Sequence, residues 1–303
     1  MREAAEEAEL LNSQQEERIL KIVCLVENTP GRDGCGTEHG LCLYVESRRH
    51  KLLLDTGASD LFVRNAEKMG IRLEEVDTVV LSHGHSDHGG GIPSFTGLNP
   101  NAVIYLRAEA EGEYYAWHDP EKEPDYIGLD RELGKLPQLI HLRDDCRIDE
   151  ELMVFSLKED EFPLPPANRP LKEKQGEAYV QDAFRHEQYL VLSEGDRKVL
   201  FSGCCHHGIR NVLAYYRKLF GASPDVVVSG FHLMQRKGYT DEDIREITDT
   251  ALALKDNPSV YYTGHCTGEQ PYEMMKEILG DRLHYLHCGD ELVLDLERRD
   301  EQR

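Results

Sequence analysis

Residues 76–91 read VDTVVLSHGHSDHGGG. The first part, VDTVVL, is a β-branched apolar run, which predicts a buried strand. It leads straight into His83, His85, Asp87 and His88, four side chains of ligand type packed into the stretch HGHSDH. Imidazole and carboxylate are donors for zinc, iron and manganese. Side chains two apart at the end of a strand point the same way, so His83 and His85 address one position. A tight turn then swings Asp87 and His88 towards a second position beside it. The glycines at 89–91 let the backbone turn sharply and start a helix without side-chain obstruction. The competing reading is a polar surface loop, which does not explain four ligand types in this order behind an apolar strand.

Working outward, ILKIVCLVE, LCLYVE and KLLLD upstream are short β-forming runs separated by turn-rich PGRDGCG and charged SRRH. They predict an antiparallel opening sheet. Ser59–Met69 carries Leu61, Phe62, Ala66 and Met69 at helical spacing and is stopped by Gly70. Downstream, AVIYLR (102–107) and ELMVFSL (151–157) read as strands, and 108–150 as irregular loops with short helices. The polar, proline-rich stretch 159–182 reads as a lid-like loop over a site. QYLVLS and KVLFSG follow as strands, and the remainder alternates helix and strand. Strands first and strand–helix alternation later predict a layered α/β sandwich, with 19–303 as a single domain.

The chain has 303 residues and a net charge of −22. That balance excludes nucleic acid and anionic membrane as general partners, since both need a positive footprint. A small-molecule substrate is expected instead. No apolar run reaches the ~18 residues of a membrane span. Residues 1–18, MREAAEEAELLNSQQEER, form a charged extension and lack the apolar stretch of a secretory signal. A cytoplasmic location with reduced cysteines is therefore expected.

HGHSDH is the HxHxDH signature of the metallo-β-lactamase superfamily, and Asp55 in LLLDTG resembles that superfamily's first motif. The resemblance implies a four-layer αββα sandwich with one or two metals at the sheet edges. LVENTP, TEHGLCLYVE, SHGHSDHGGGIPSF, FRHEQYLVL, LFSGCCHHGI, VVSGFHLM and TGHCTG resemble successive blocks of one subgroup. It is the subgroup named for the dihydropterin–ribofuranosylaminobenzene phosphate synthases, together with many uncharacterised bacterial relatives. The blocks span about residues 19 to 270.

By that resemblance His83, His85, Asp87, His88 and His265 are metal ligands. Cys204 stands where most members carry a bridging aspartate, a departure that thiolate chemistry accommodates. The third ligand of the first metal is expected at His186, with Glu187 and Asp182 as alternatives. His206 is either a further ligand or a proton donor, and Asp87 and His206 are the expected catalytic groups. His232 in SGFHLM resembles a substrate-pocket histidine. Asp55 is expected to accept the outer N–H of a ligand histidine and so fix its tautomer. Glu27, Asn28, Glu38 and His39 lie in loops after the early strands, either rimming the pocket or as solvated turn residues. The implied activity is hydrolysis or group transfer assisted by zinc, with iron or manganese as alternatives, on a phosphorylated or pterin-like molecule. An iron-bearing oxidoreductase is the alternative, although His85 departs from the HxExD pattern of such oxidases.

Overall fold

The computed structural model describes residues 19–119 and 121–295, so the 1–18 extension lies outside the described residues. Strands are numbered in chain order. The first sheet contains β1 (Ile19–Val26), β2 (Cys42–Glu46), β3 (Lys51–Leu54), β4 (Thr78–Val80), β5 (Val103–Arg107), β8 (Leu139–Leu142) and β18 (Glu291–Asp295), in the order β18-β1-β2-β3-β4-β5-β8. The second contains β9 (Cys146–Arg147), β10 (Leu152–Phe155), β13 (Tyr189–Glu194), β14 (Arg197–Phe201), β15 (Val226–Val228), β16 (Val260–Thr263) and β17 (Leu283–Tyr285), in the order β17-β16-β15-β14-β13-β10-β9. A small third sheet joins β6 (Tyr114–Ala116), β7 (Asp125–Tyr126), β11 (Leu171–Gln175) and β12 (Ala178–Gln181).

The two large sheets are packed by strand alternation. On β1, Leu20, Ile22 and Cys24 face the second sheet and meet Leu190, Leu192, Val199, Phe201 and Val228. Val23 and Leu25 face the other way, against Phe62, Ile92 and Phe95. Those residues belong to α1 (Leu61–Met69) and α3 (Ile92–Leu98); between them lies the short α2 (Ser86–Gly89). The outer face of the second sheet packs Leu200, Val227 and Tyr261 against α4 (Ile209–Phe220), α5 (Asp241–Lys255) and α6 (Glu269–Leu279). The layers are therefore αββα. Truncating one of the leucines between the sheets to alanine costs about 2–5 kcal/mol in such a core.

Helix ends follow local chemistry. α1 stops where Gly70 adopts φ 71°. α5 begins with a reciprocal cap in which Thr240 Oγ1 accepts from Asp243 N–H and the Asp243 carboxylate accepts from Thr240 N–H. The stretches read as irregular, 108–150 and 159–182, contain more strand than their composition suggests. LKEKQ of β11 pairs with both β12 and β6, and those cross-strand partners supply the order that KEKQ lacks in intrinsic propensity. No helix among the described residues is long and apolar enough to cross a membrane.

Candidate metal centre

Topology brings the chemistry-bearing loops to one edge. β1 and β2, then β2 and β3, are antiparallel, so β1 and β3 run the same way, and β4 runs parallel to β3. The loops after β1, β3 and β4 carry Glu27 and Asn28, Asp55, and the histidine cluster. In the second sheet β14, β15 and β16 are parallel, and the loops beyond them carry Cys204 to His206, His232 and His265. α2 presents Asp87 and His88, and glycine lets it press against the Asp55 loop. A Cβ at Gly90 or Gly91 would stand 2.4 Å from Ala58 O or 2.3 Å from Thr56 O.

The side chains meet in a buried cluster. His83 Nε2 lies 3.0 Å from His85 Nδ1 and 3.2 Å from His206 Nε2. His88 Nε2 lies 3.1 Å from His265 Nε2 and 3.2 Å from Cys204 Sγ. Asp87 Oδ2 is 3.6 Å from His88 Nε2 and 3.5 Å from His265 Nε2. Cys204 belongs to both groups, since one donor atom from each of His83, Cys204 and His206 falls within 4.8 Å of the others, as does one from each of Asp87, His88, Cys204 and His265.

The outer nitrogens fix the tautomers. Asp55 Oδ2 accepts from His88 Nδ1 at 2.6 Å and from Ser82 Oγ at 2.7 Å. Ser82 has spent its proton on Asp55, so its oxygen accepts from His83 Nδ1 at 2.9 Å. Asn168 Nδ2 donates to His206 O, which turns its Oδ1 towards His206 Nδ1 at 2.9 Å. Asn28 Nδ2 donates to His265 O, and its Oδ1 accepts from His265 Nδ1 at 2.9 Å. Each of these four imidazoles therefore carries a proton outward and turns its other nitrogen inward, and at His83 and His206 that nitrogen is a bare lone pair. Bare lone pairs about 3 Å apart repel unless a cation lies among them, so the residues fit a metal centre.

Electrostatics agree at three of the histidines, whereas at His88 burial is outweighed by the Asp87 and Asp55 carboxylates, which raise the ring to about 9, so that a bound ion would displace a second proton there. Burial, reinforced by neighbouring imidazoles, pushes His83 and His206 well below the usual histidine range and His85 to about 3. All three are neutral bases at neutral pH. Burial works against ionising Asp87, but His88 and His265 outweigh it and hold its carboxyl well below the usual range. The Cys204 and Cys266 thiols form a close pair. Burial raises both; at Cys266 it is outweighed by contact with Cys204 and His232, so Cys266 is the lower and Cys204 the higher of the two.

The structure separates the residues expected from the sequence into two sets. His83, His85, Asp87, His88, Cys204, His206 and His265 come together, with Asp55 behind them. His186 lies on the far side of His85, and with His85 and Asp182 it forms a further donor set within 4.8 Å. Its Nδ1 accepts from Gly84 N–H at 3.0 Å, which leaves Nε2–H facing Asp182 Oδ2 at 3.0 Å. The Glu187 carboxylate is spent on His206 N–H, His207 N–H and Tyr189 O–H, and so shapes the turn that presents Cys204 and His206. His85 Nε2 is buried without a hydrogen-bond partner, close to Asp182 and His186. His232 reaches the cluster with its ring 4.2 Å from that of His206, and neither of its nitrogens has a partner.

Of the four loop residues, Asn28 and Glu27 serve the centre. Glu27 Oε1 accepts from His265 N–H. Glu38 is committed to Ala58 and Ser59. His39 is half exposed, with Nε2 3.4 Å from Asp87 Oδ2. Asn168, Ser82 and Cys266 had no role expected from the sequence, and Tyr114 belongs to EYYAWHDP, whose tyrosines read as a pocket wall or as ordinary packing. Tyr114 packs its ring 3.9 Å from that of His186.

The comparisons with known proteins agree with this geometry. A family model described as the metallo-beta-lactamase superfamily matches residues 35–178. A 7,8-dihydropterin-6-methyl-4-(beta-D-ribofuranosyl)-aminobenzene-5'-phosphate synthase of Methanocaldococcus jannaschii is 26% identical over 290 residues, which is 89% of this chain and 95% of that protein. An uncharacterised protein of the same organism is 26% identical over 277 residues, 89% of this chain and 98% of the relative. Among solved structures, a metal-dependent hydrolase of the β-lactamase superfamily superposes with a TM-score of 0.77 at 26% identity, covering 91% of this chain and 99% of that one. The metallo-β-lactamase fold protein YhfI from Bacillus subtilis superposes with a TM-score of 0.56 at 13% identity, covering 91% and 100%.

Proposed function

We propose that this chain, which is similar to the metallo-β-lactamase superfamily over residues 35–178 and to a metal-dependent hydrolase of that superfamily over 91% of its length, is a metal-dependent hydrolase or transferase with a binuclear centre. The observation that carries the reading is the convergence of inward-turned imidazole nitrogens on rings that already commit a proton outward, to Ser82, Asp55, Asn168 and Asn28. One ion would be held by His83 Nε2, His85 Nδ1 and His206 Nε2. The other would be held by Asp87, His88 Nε2 and His265 Nε2, with Cys204 Sγ reaching both sets. In this reading His206 would serve as the third imidazole of that ion, with His186 and Asp182 behind His85. Imidazole and thiolate donors favour zinc over harder ions.

When bound, such ions supply Lewis-acid activation of water and of a substrate oxygen. The protein's own groups do the rest. Asp87, held ionised, accepts a hydrogen bond from the attacking water and orients it. His232, with both nitrogens unengaged, binds a substrate oxygen or passes it a proton. His39, at the half-exposed mouth beside Asp87, exchanges protons with solvent. The name of the synthase relative supports a phosphorylated or pterin-like small molecule as substrate. The net charge of −22 also favours a small molecule over nucleic acid or membrane.

The test is elemental analysis of protein purified without added metal, paired with a screen of phosphoester substrates. Zinc with turnover supports the reading, whereas iron with oxygen consumption would replace it with an oxidoreductase. His83→Ala and His85→Ala should each lose one ion, and Asp87→Ala and His88→Ala the other. Full metal retention in all four variants sinks the assignment.

A further inference from the structure

Beside the two donor sets lies another that neither of them uses in full. Cys204 Sγ, Cys266 Sγ and a ring nitrogen of His232 lie within 4.8 Å of one another. The three residues come from the loops after β14, β16 and β15, the parallel core of the second sheet. Cys204 is 4% and Cys266 5% exposed. The Cys266 sulfur sits where only glycine leaves room, because a Cβ at Gly230 would stand 2.5 Å from it. It lies 3.4 Å from Cys204 O. Both nitrogens of His232 are buried with no hydrogen-bond partner, a costly condition for a polar ring that a ligand would relieve. His232 itself holds φ at 48°, a left-handed conformation that a histidine rarely adopts.

The geometry points to an adjoining thiolate-rich site, built from Cys204, Cys266 and His232, that takes a third, thiophilic metal ion. Zinc bonds of ~2.3 Å to sulfur and ~2.0–2.1 Å to nitrogen place tetrahedral donors roughly 3.5–3.8 Å apart. The three donors reach that spacing by closing about 1 Å from their present limit, within the range of small side-chain rotations. Two thiolates and one imidazole select soft ions such as zinc, cadmium or cuprous copper over manganese or magnesium. On binding, each thiol gives its proton to solvent and no electron is exchanged. The site shares Cys204 with the binuclear centre but does not rest on it. Filling it would also occupy the imidazole otherwise free for substrate.

Cadmium is the probe. The full chain, stripped with chelator and kept reduced, is titrated with Cd2+ while bound metal and the ultraviolet sulfur-to-cadmium charge-transfer band are followed. Cys266→Ser should bind one equivalent fewer than wild type and lose about half of the band, whatever number the wild type binds. His232→Ala, nearer the surface and gentler on folding, should lose the same equivalent and about the same share of the band. Cys205→Ser should match wild type in both readouts. Far-UV circular dichroism checks that each variant is folded. Wild-type stoichiometry and band in Cys266→Ser, or in folded His232→Ala if Cys266→Ser does not fold, overturns the site. Failure of the binuclear reading appears separately, as full metal retention in His83→Ala.

Discussion

Asp55 offers the sharpest perturbation, because one carboxylate oxygen sets two tautomers. Its Oδ1 accepts from Ser82 N–H at 2.7 Å, and its Oδ2 serves both His88 Nδ1 and Ser82 Oγ. Asp55→Asn keeps the Oδ1 bond but puts an NH2 group in place of Oδ2. That group donates where His88 needs an acceptor. His88 must then move its proton to Nε2, the atom aimed at His265 and Cys204, and the lone pair for metal is lost. The change removes a charged hydrogen bond worth about 1.5–3 kcal/mol, which corresponds to roughly 10- to 150-fold in affinity. Loss of a partner behind a metal-binding histidine typically costs ~10- to 100-fold, which agrees. Asn tolerates the left-handed conformation that Asp55 holds at φ 62°, so the backbone should survive. Ser82→Ala removes only a neutral relay to His83, about 1 kcal/mol or ~5-fold. The assay is competition with a chromophoric chelator for each ion, with circular dichroism as the check on folding. Wild-type affinity in Asp55→Asn, or equal losses in the two variants, would refute the argument.

Two other perturbations test separate parts of the molecule. Cys204→Ser should weaken one ion and slow turnover without unfolding the chain, while Cys204→Asp should retain both ions by supplying a bridging carboxylate. If Cys204 were only a small turn residue, Ser would be neutral and Asp destabilising through a buried unpaired charge, so metal stoichiometry and rate measured side by side decide between them. Far from the centre, His50 is clamped between Asp77 at 2.7 Å and Asp149 at 2.6 Å, and the Asp77 bond, with help from Asp149, raises it from 6.5 to about 9. The raised group stabilises the fold fully below its unfolded value near 6.5, and that contribution fades as pH rises through 9. After discounting for solvent screening it amounts to about 1–2 kcal/mol. Denaturant midpoints of wild type and His50→Gln should converge between pH 6.5 and 10, and a constant gap would show that the imidazolium is not what stabilises the clamp.

The parts of this site that could be read from sequence were those set by local spacing. VDTVVL forms a strand whose end must present His83 and His85 together, and the following turn must carry Asp87 and His88 to one side. Apolar alternation in β1, β2, β13 and β14 likewise dictates two sheets face to face. Local spacing does not decide the third imidazole, for a reason of register. His186 and His206 both flank strands of the β13–β14 pair, and only the three-dimensional path of the loops aims one inward and ties the other to Gly84 and Asp182. The amides behind the histidines are invisible for a related reason. Asn168 lies 38 positions from His206, and Asn28 lies 237 positions from His265. Nothing in the local pattern around either amide marks it as a partner.

Backbone strain marks the same site without reference to any motif. Among the described residues, the non-glycine residues at positive φ are Asp55, Phe184, Cys205, His232 and His265, at 62°, 50°, 61°, 48° and 51°. The left-handed conformation costs roughly 1–2 kcal/mol at each of them relative to ordinary backbone. Glycine would relieve that cost, yet nearly every one of these positions carries a side chain the centre uses. Asp55 orients His88, His265 aims a lone pair at His88, and His232 leans on His206. Phe184 lies flat on the His206 ring at 4.5 Å with the planes 2° apart. Cys205 turns the chain between Cys204 and His206. The turns fall where the loops beyond β3, β14, β15 and β16 leave the sandwich, and just before β13 enters it. The packed sheets there hold the backbone firmly enough to sustain the strain. Strain of this kind persists only where the surrounding structure over-determines it, and it clusters at functional sites. Its confinement to one edge of the sheets is thus a second, independent pointer to the place that the histidine spacing identifies.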